Sequence, residues 1–221
     1  MKEKITFVSP LLALVLVGAY TFLPDAVIYL PIFSHILNFE FYLLTIACYL
    51  VIVIPALILL YQIGRWQQIN AKNFRWSYLA YALLTCLMLY AWNFASAFFL
   101  PPTQNASSYN QTASSFTGAT IFLMRFLYPV ILAPIFEEVI YRGLVMTALE
   151  KGKTWGLDVL GSSALFVTLH LVGYTWSWVD FIFYFVGGLL FDLLFKVTKS
   201  IYWTSGTHMA YNGVMQILML L

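Results

Sequence analysis

Apolar residues in this chain come in blocks rather than in the stripes of a soluble fold. Blocks of about 20 residues, the length that crosses a bilayer, fall at roughly 5–23, 41–63, 77–100, 119–149 and 201–221. Two shorter blocks, roughly 157–173 and 178–195, flank a Gly173-Tyr174 turn. Two gaps are polar. Residues 24–40 contain Pro24, Pro31 and His35 and read as an interfacial or re-entrant segment. Residues 101–117, PPTQNASSYNQTASSFT, read as a polar loop without a single charge. No internal repeat or low-complexity tract is visible. The pattern predicts an all-α, polytopic membrane helical bundle of about seven transmembrane helices, plus that interfacial segment. It forms one integral membrane domain over 1–221, with the polar motifs gathered in 119–221.

Composition agrees. Of the 221 residues 62% are hydrophobic and only 9% charged, against about 25% charged in soluble domains, so the chain has too little polar surface to hydrate itself. A net charge of +2 is no footprint for nucleic acid. Cys48 and Cys86 both lie in apolar runs and read as buried free thiols, neither a disulfide framework nor a metal motif. The start, Met1-Lys2-Glu3-Lys4 before an apolar run, looks like a signal peptide but lacks a small-x-small cleavage site, so it reads as a first membrane helix. Lys2, Lys4, Arg65, Lys72, Arg75, Lys151, Lys153, Lys196 and Lys199 all fall on one side of a seven-segment alternation. The positive-inside rule then puts the N-terminus in the cytoplasm and residue 221 outside.

The fourth block is the unusual one. About 30 helical residues would reach ~45 Å against a ~30 Å hydrocarbon core, and Pro129 and Pro134 sit within it. Proline removes a donor and kinks or restarts a helix. A break there would free backbone groups near Phe136 and Glu137, which membrane depth tolerates only beside protein or water. The same block carries Glu137, Glu138 and Arg142. A single charge at that depth costs about 2.5–3.5 kcal/mol on insertion scales. Glu138 and Arg142 are four apart, acid first, the favourable order for an ion pair on one helix face. Glu137 is turned about 100° away and is left to face something else, expected to be a water-accessible cavity. Later blocks add His170, one turn after Phe166, and His208, one turn before Asn212. Each alone reads equally well as interhelical hydrogen bonding. Together they put polar clusters on three helices, the usual way to build a site in a bundle core.

Glu137-Glu138-x-x-x-Arg142, Phe166-x-x-x-His170 and His208-x-x-x-Asn212, in that order and each on an apolar segment, resemble the motif series of the CPBP family. These are CaaX-protease and bacteriocin-processing (Abi) intramembrane proteases, related to type II CaaX-prenyl endopeptidases. The resemblance spans about 134–213; Gly187-Gly188 falls where a less defined family motif would lie. It implies a membrane-embedded hydrolase, a glutamate-type or metallo-endopeptidase, cutting a membrane-associated peptide. Glu137 would be the general base on a water shared with His170. His208 and Asn212 would stabilise the oxyanion, while Glu138 and Arg142 hold the helix and Phe166 fixes the His170 ring.

Alternatives stay open at this level. Glu137, His170 and His208 could ligate a divalent metal such as zinc, although no HExxH is present, and metal-free glutamate catalysis is the preferred reading. Intramembrane Glu and His also build proton relays in transporters, and a bacteriocin-immunity or partner-binding protein could keep the motif for structure. The expected partners are membrane lipid and a peptide or lipid-modified peptide, with the chain a monomer or weak oligomer in a bacterial cell membrane.

Overall fold

The apolar blocks are helices in the computed structural model, which describes residues 8–33, 38–69, 74–114 and 118–219. No strand occurs among the described residues. Helix α1 (Pro10–Ile28) is capped by Ser9, whose Oγ accepts the Leu12 N–H at 3.1 Å, and Pro10 sits at the start, where its missing N–H is no loss. Pro24 lies inside α1 rather than ending it, so the helix runs five residues past the expected boundary at 23. Of the expected interfacial segment 24–40, residues 24–28 continue α1, Pro31–Phe33 form a 3₁₀ turn and 38–40 open the next helix; His35 lies outside the described residues. Helices α2 (Asn38–Gln62) and α3 (Trp76–Phe99) follow the second and third blocks.

The uncharged stretch after α3 is not a plain loop: Gln104–Ser114 forms helix α4. Its start is held from elsewhere in the chain. Thr103 Oγ1 accepts the Ala106 N–H at 3.2 Å, and the Asp180 carboxylate accepts the Gln104 backbone N–H at 3.2 and 3.3 Å. Asp180 also accepts from the Gln104 side-chain amide at 3.0 Å. A carboxylate at a helix N-terminus satisfies orphan donors and complements the dipole. The donor and acceptor are 76 residues apart, which local propensity cannot register.

Helix α5 (Thr120–Ala148) runs 29 residues without the expected break. The prolines are absorbed by a change of winding. Leu123–Leu132 and Val139–Val145 are π-helical, with the N–H of Ala133 returning to the Tyr128 carbonyl and that of Met146 to Tyr141, each five residues back. Gly156, in the left-handed region (φ 72°), turns the chain into α6 (Leu157–Leu171), followed by α7 (Trp178–Thr198) and α8 (Ile201–Leu218).

By length and apolarity α1, α2, α3, α5 and α7 can each span a bilayer. Helix α6, at 15 residues, reaches only about 22 Å, and α8 is 18 residues and more polar. The core lies where α5 meets α1 and α2: Leu60, Ile140, Tyr141 and Leu144 are fully buried. Gly143 allows that approach, because a Cβ there would stand 2.8 Å from Leu60 Cδ1 and 2.9 Å from Ile201 Cδ1. Arg65 pairs with Glu150, and Lys196 with Asp158 at 3.2 Å. The ends of α2, α5 and α7 and the start of α6 therefore share one face of the bundle. Exposed Trp66, Trp76 and Trp155 mark this basic end, and exposed Trp176 and Trp178 the opposite one. They form aromatic girdles of the kind found at both membrane interfaces.

Candidate active site

The charges of α5 fall into two groups. Glu138 and Arg142 are fully buried and paired, Arg142 Nη1 donating to Glu138 Oε1 at 3.2 Å. A second carboxylate shares the guanidinium. Asp192 on α7 brings Oδ1 to 2.9 Å from Arg142 Nε, an ion-pair contact not aligned as a hydrogen bond. Arg142 Nη2 donates to the Gly188 carbonyl at 2.8 Å. Asp192 in turn accepts from Ser162 Oγ at 2.9 Å and Ser163 Oγ at 2.6 Å on α6. The guanidinium carbon stands 4.9 Å from the Phe166 ring centre and 5.4 Å from that of Phe191. One cation thus ties α5, α6 and α7 together in a site without water-facing surface, where an unpaired charge would cost several kcal/mol. Gly188 is part of the fit: a Cβ there would meet Phe166 Cδ1 at 3.1 Å and the Ser163 Cα at 3.3 Å. Gly187, its neighbour, has nothing within 4 Å.

Asp192 is the residue that motif reading passed over. The signal was present, since an aspartate inside an apolar block demands a partner as much as a glutamate does. Ser162 and Ser163 carried no signal of their own.

Glu137 faces the other way. It lines a cavity of about 700 Å³ together with His170 and Asn212, as the turn of 100° from Glu138 leads one to expect. Above it stand Tyr49 and Tyr128, their rings stacked 6.0 Å apart on the same cavity wall. The His170 Nδ1–H donates to the Phe166 carbonyl at 3.2 Å; in the neutral ring this leaves the lone pair on Nε2. The ring is held between Phe166 (4.7 Å) and Tyr184, stacked at 4.0 Å. Tyr184 is fixed in turn by a hydroxyl contact of 3.2 Å with Thr103 at the head of α4.

His208 and Asn212 sit differently from the simplest reading of their motif. His208 is not among the cavity-lining residues but stands behind Glu137. Its Nδ1–H donates to Glu138 Oε1 at 3.0 Å, and its Nε2 lies 3.9 Å from Glu137 Oε2, with Phe191 stacked on the ring at 4.4 Å. It bridges the two adjacent glutamates. Asn212 donates through Nδ2 to the Pro129 carbonyl at 2.8 Å. That carbonyl is an orphan for a legible reason. In the π register its partner would be the N–H of residue 134, which is proline, and the N–H of Ala133 is already taken by Tyr128. The group that Pro134 frees is therefore the Pro129 carbonyl, and Asn212 of α8 satisfies it.

A resident metal would need three or more ligands converging. Among the described residues no three His, Cys, Asp or Glu side chains do so. Of the set weighed from sequence, Glu137 and His208 approach each other to 3.9 Å and both histidines keep Nε2 free of a hydrogen bond, but with His170 they do not converge into a group of three. The arrangement does not form a metal cage.

No curated protein and no solved structure matches the chain. Residues 119–214 match the family model described as Rce1-like, type II CAAX prenyl endopeptidase Rce1-like. The matched segment begins at α5 and ends just beyond Asn212, so it contains both the buried ion network and the cavity wall of Glu137 and His170. That segment, less than half of the chain, resembles the CPBP/CAAX protease family, a family of membrane-embedded hydrolases.

Proposed function

We propose that the protein is an intramembrane endopeptidase in which Glu137 and His170 activate a water against a peptide bond of a membrane-associated substrate. One observation carries the reading: of the carboxylates buried around Arg142, only Glu137 opens onto a cavity, and it shares that cavity with a histidine and an amide. The buried ion network, the divided roles of the two adjacent glutamates and the family match all support it.

In this mechanism a carboxylate or imidazole lone pair takes one water proton as the water oxygen bonds to the carbonyl carbon. The carbonyl π pair moves to oxygen, giving a tetrahedral adduct. The second N–H of Asn212, not engaged by Pro129, is the donor nearest to hand for that oxyanion, and such a donor in a dry site contributes about 3–4 kcal/mol. Collapse of the adduct breaks the C–N bond, and the proton held by the base goes to the leaving nitrogen. His208 acts from behind: with its Nδ1 proton held by Glu138, Nε2 stands 3.9 Å from Glu137, an ion-pair contact that orients the reactive carboxylate when the ring carries both protons. No step in this scheme passes through a metal.

The test is cleavage of a peptide library by the purified protein in lipid, beside its Glu137→Gln form. General-base loss should cost about 10²–10⁴-fold in turnover while the melting temperature stays near that of the unsubstituted protein. Undiminished cleavage by a folded Glu137→Gln protein would overturn the proposal.

A further inference from the structure

Helix α7 makes its polar contacts through residues on one ridge. Asp180, Tyr184, Gly188 and Asp192 recur at every fourth position, the spacing that aligns residues along one inclined row of a helix. Toward the C-terminal end of the row, the Gly188 carbonyl and the Asp192 carboxylate hold Arg142 of α5. At the N-terminal end, Asp180 accepts from the backbone and side chain of Gln104 at the head of α4. Gln104 is further locked to Thr175 by a reciprocal pair of hydrogen bonds, 2.9 Å each. Tyr184 stands between the two ends. Its ring lies on His170 at 4.0 Å with the planes 24° apart, and its hydroxyl meets Thr103 Oγ1 at 3.2 Å. The same Thr103 oxygen accepts the Ala106 N–H in the first turn of α4.

The His170 imidazole has no carboxylate on its Nδ1–H, which goes to the Phe166 carbonyl of its own helix. One hydrogen bond leaves a ring free to tilt about it, so the plane is set by stacking. Phe166, 4.7 Å away and tilted by 45°, belongs to the same helix as His170. Tyr184 comes from α7, which Arg142 ties to the helix of Glu137. On these grounds, and resting on the proteolytic reading above, we propose that Tyr184 is a positioning residue for His170 and that the docked head of α4 holds Tyr184 in place. The phenol ring keeps the imidazole in one plane, with Nε2 toward the cavity it shares with Glu137. The Thr103 link stops the phenol from rotating out of the stack. When Nε2 takes the water proton, the positive ring that forms lies over the electron-rich face of Tyr184, an attraction of the cation–π kind. Helix α4 thereby enters the reaction without touching the reacting atoms, and loosening it at Thr103 or Asp180 disables His170 from a distance.

Conservative changes dissect the chain of contacts. Tyr184→Phe keeps the ring and cuts the link to α4, Tyr184→Leu removes the ring, Thr103→Val removes the hydroxyl and Thr103→Ser retains it. On a peptide that the unsubstituted protein cleaves, Tyr184→Leu should lower kcat by about 10–100-fold per folded molecule, the scale of a displacement of about 1 Å. KM should stay within about twofold, because the contact acts on the base and not on substrate binding. Tyr184→Phe and Thr103→Val should each lose about 3–10-fold in kcat, and Thr103→Ser should keep nearly full turnover. A second readout needs no substrate. In protein labelled with nitrogen-15 at its three histidines, the His170 ring signals are assigned by their loss in His170→Gln. They should show a single tautomer protonated at Nδ1. Thr103→Val, made one side chain away from the imidazole, should move or broaden them, and Thr103→Ser should leave them as they were. Unchanged His170 signals in Thr103→Val, or full turnover by a folded Tyr184→Leu protein, overturns the proposal. If the unsubstituted protein cuts no peptide, the proteolytic reading fails, while the ring signals still decide whether α4 and Tyr184 set the imidazole.

Discussion

Asp192→Ala is the most informative single change outside the family's motif residues. It removes one of two carboxylates facing Arg142 and leaves the hydroxyls of Ser162 and Ser163 without their acceptor. Breaking a buried ion pair from one side costs about 3–5 kcal/mol. Arg142 keeps Glu138 and the Gly188 carbonyl, which argues for the lower end, about 3 kcal/mol. At about 2–4 °C per kcal/mol for a chain of this size, the melting temperature should fall by roughly 6–12 °C. The assay is thermal unfolding in detergent followed by tryptophan fluorescence. Asp192→Asn separates charge from shape: its amide oxygen can still accept from a serine, so it should fall between the alanine form and the unsubstituted protein. Arg142→Met should be worse than Asp192→Ala, since it strands two carboxylates. Joining Arg142→Met to Asp192→Leu should then restore part of the loss, a coupling that a double-mutant cycle measures directly. An Asp192→Ala protein that melts within about 2 °C of the unsubstituted one, a change of under 1 kcal/mol, would refute the view that Arg142 needs both acids.

Three further outcomes follow from the same contacts. Gly188→Ala forces a methyl against Phe166 and the Ser163 backbone and should destabilise by about 1–3 kcal/mol. Gly187→Ala meets nothing within 4 Å and should stabilise by about 0.5–1 kcal/mol; the same melt reads both. Asn212→Ala leaves the Pro129 carbonyl unsatisfied at a cost of about 1–3 kcal/mol. Asn212→Asp, isosteric but acceptor-only when ionised, should lose the melting temperature as fully. Proteolytic activity should survive exhaustive chelation, since the described ligand candidates do not converge; activity lost to chelator and restored by zinc would contradict the metal-free scheme.

The bundle was legible because membrane burial writes itself into composition: four of the five long apolar blocks are helices able to span, whereas the fifth such helix is the block at 178–195, read as short, and not the block at 201–221. What could not be read was anything settled by a distant partner. Helix α4 looked like a loop because its own residues are poor helix formers, and its start depends on Asp180, 76 positions on. Pro24 looked like a stop, yet α1 continues through it to Ile28. Within the site, the Glu138–Arg142 pair and the opposite facing of Glu137 follow from helix spacing alone. The place of His208 behind Glu137 does not, because i and i+4 say which face a residue shares on its own helix and nothing about the depth at which two helices meet. Asp192 was legible in principle by the test applied to the glutamates, but it stood outside any motif.

Two neighbouring glutamates on one helix would repel if both faced one dry space, and the fold resolves this by winding rather than by distance. Glu138 turns into the contact with Arg142, where a second acid, two serines and a glycine carbonyl complete the shell around the cation. Glu137 turns to open volume, and His208 stands between them with one ring nitrogen facing each side. The π-helical stretch before the pair and the one after it set this winding. The first needs Asn212 to meet the carbonyl that Pro134 cannot. Asn212 therefore has a structural duty that its motif does not reveal. A loss of activity on replacing it must be divided between an oxyanion donor and a displaced Glu137. Melting temperature and turnover measured on the same Asn212 variants make that division: a donor lost alone lowers turnover at constant stability, whereas a slipped helix lowers both.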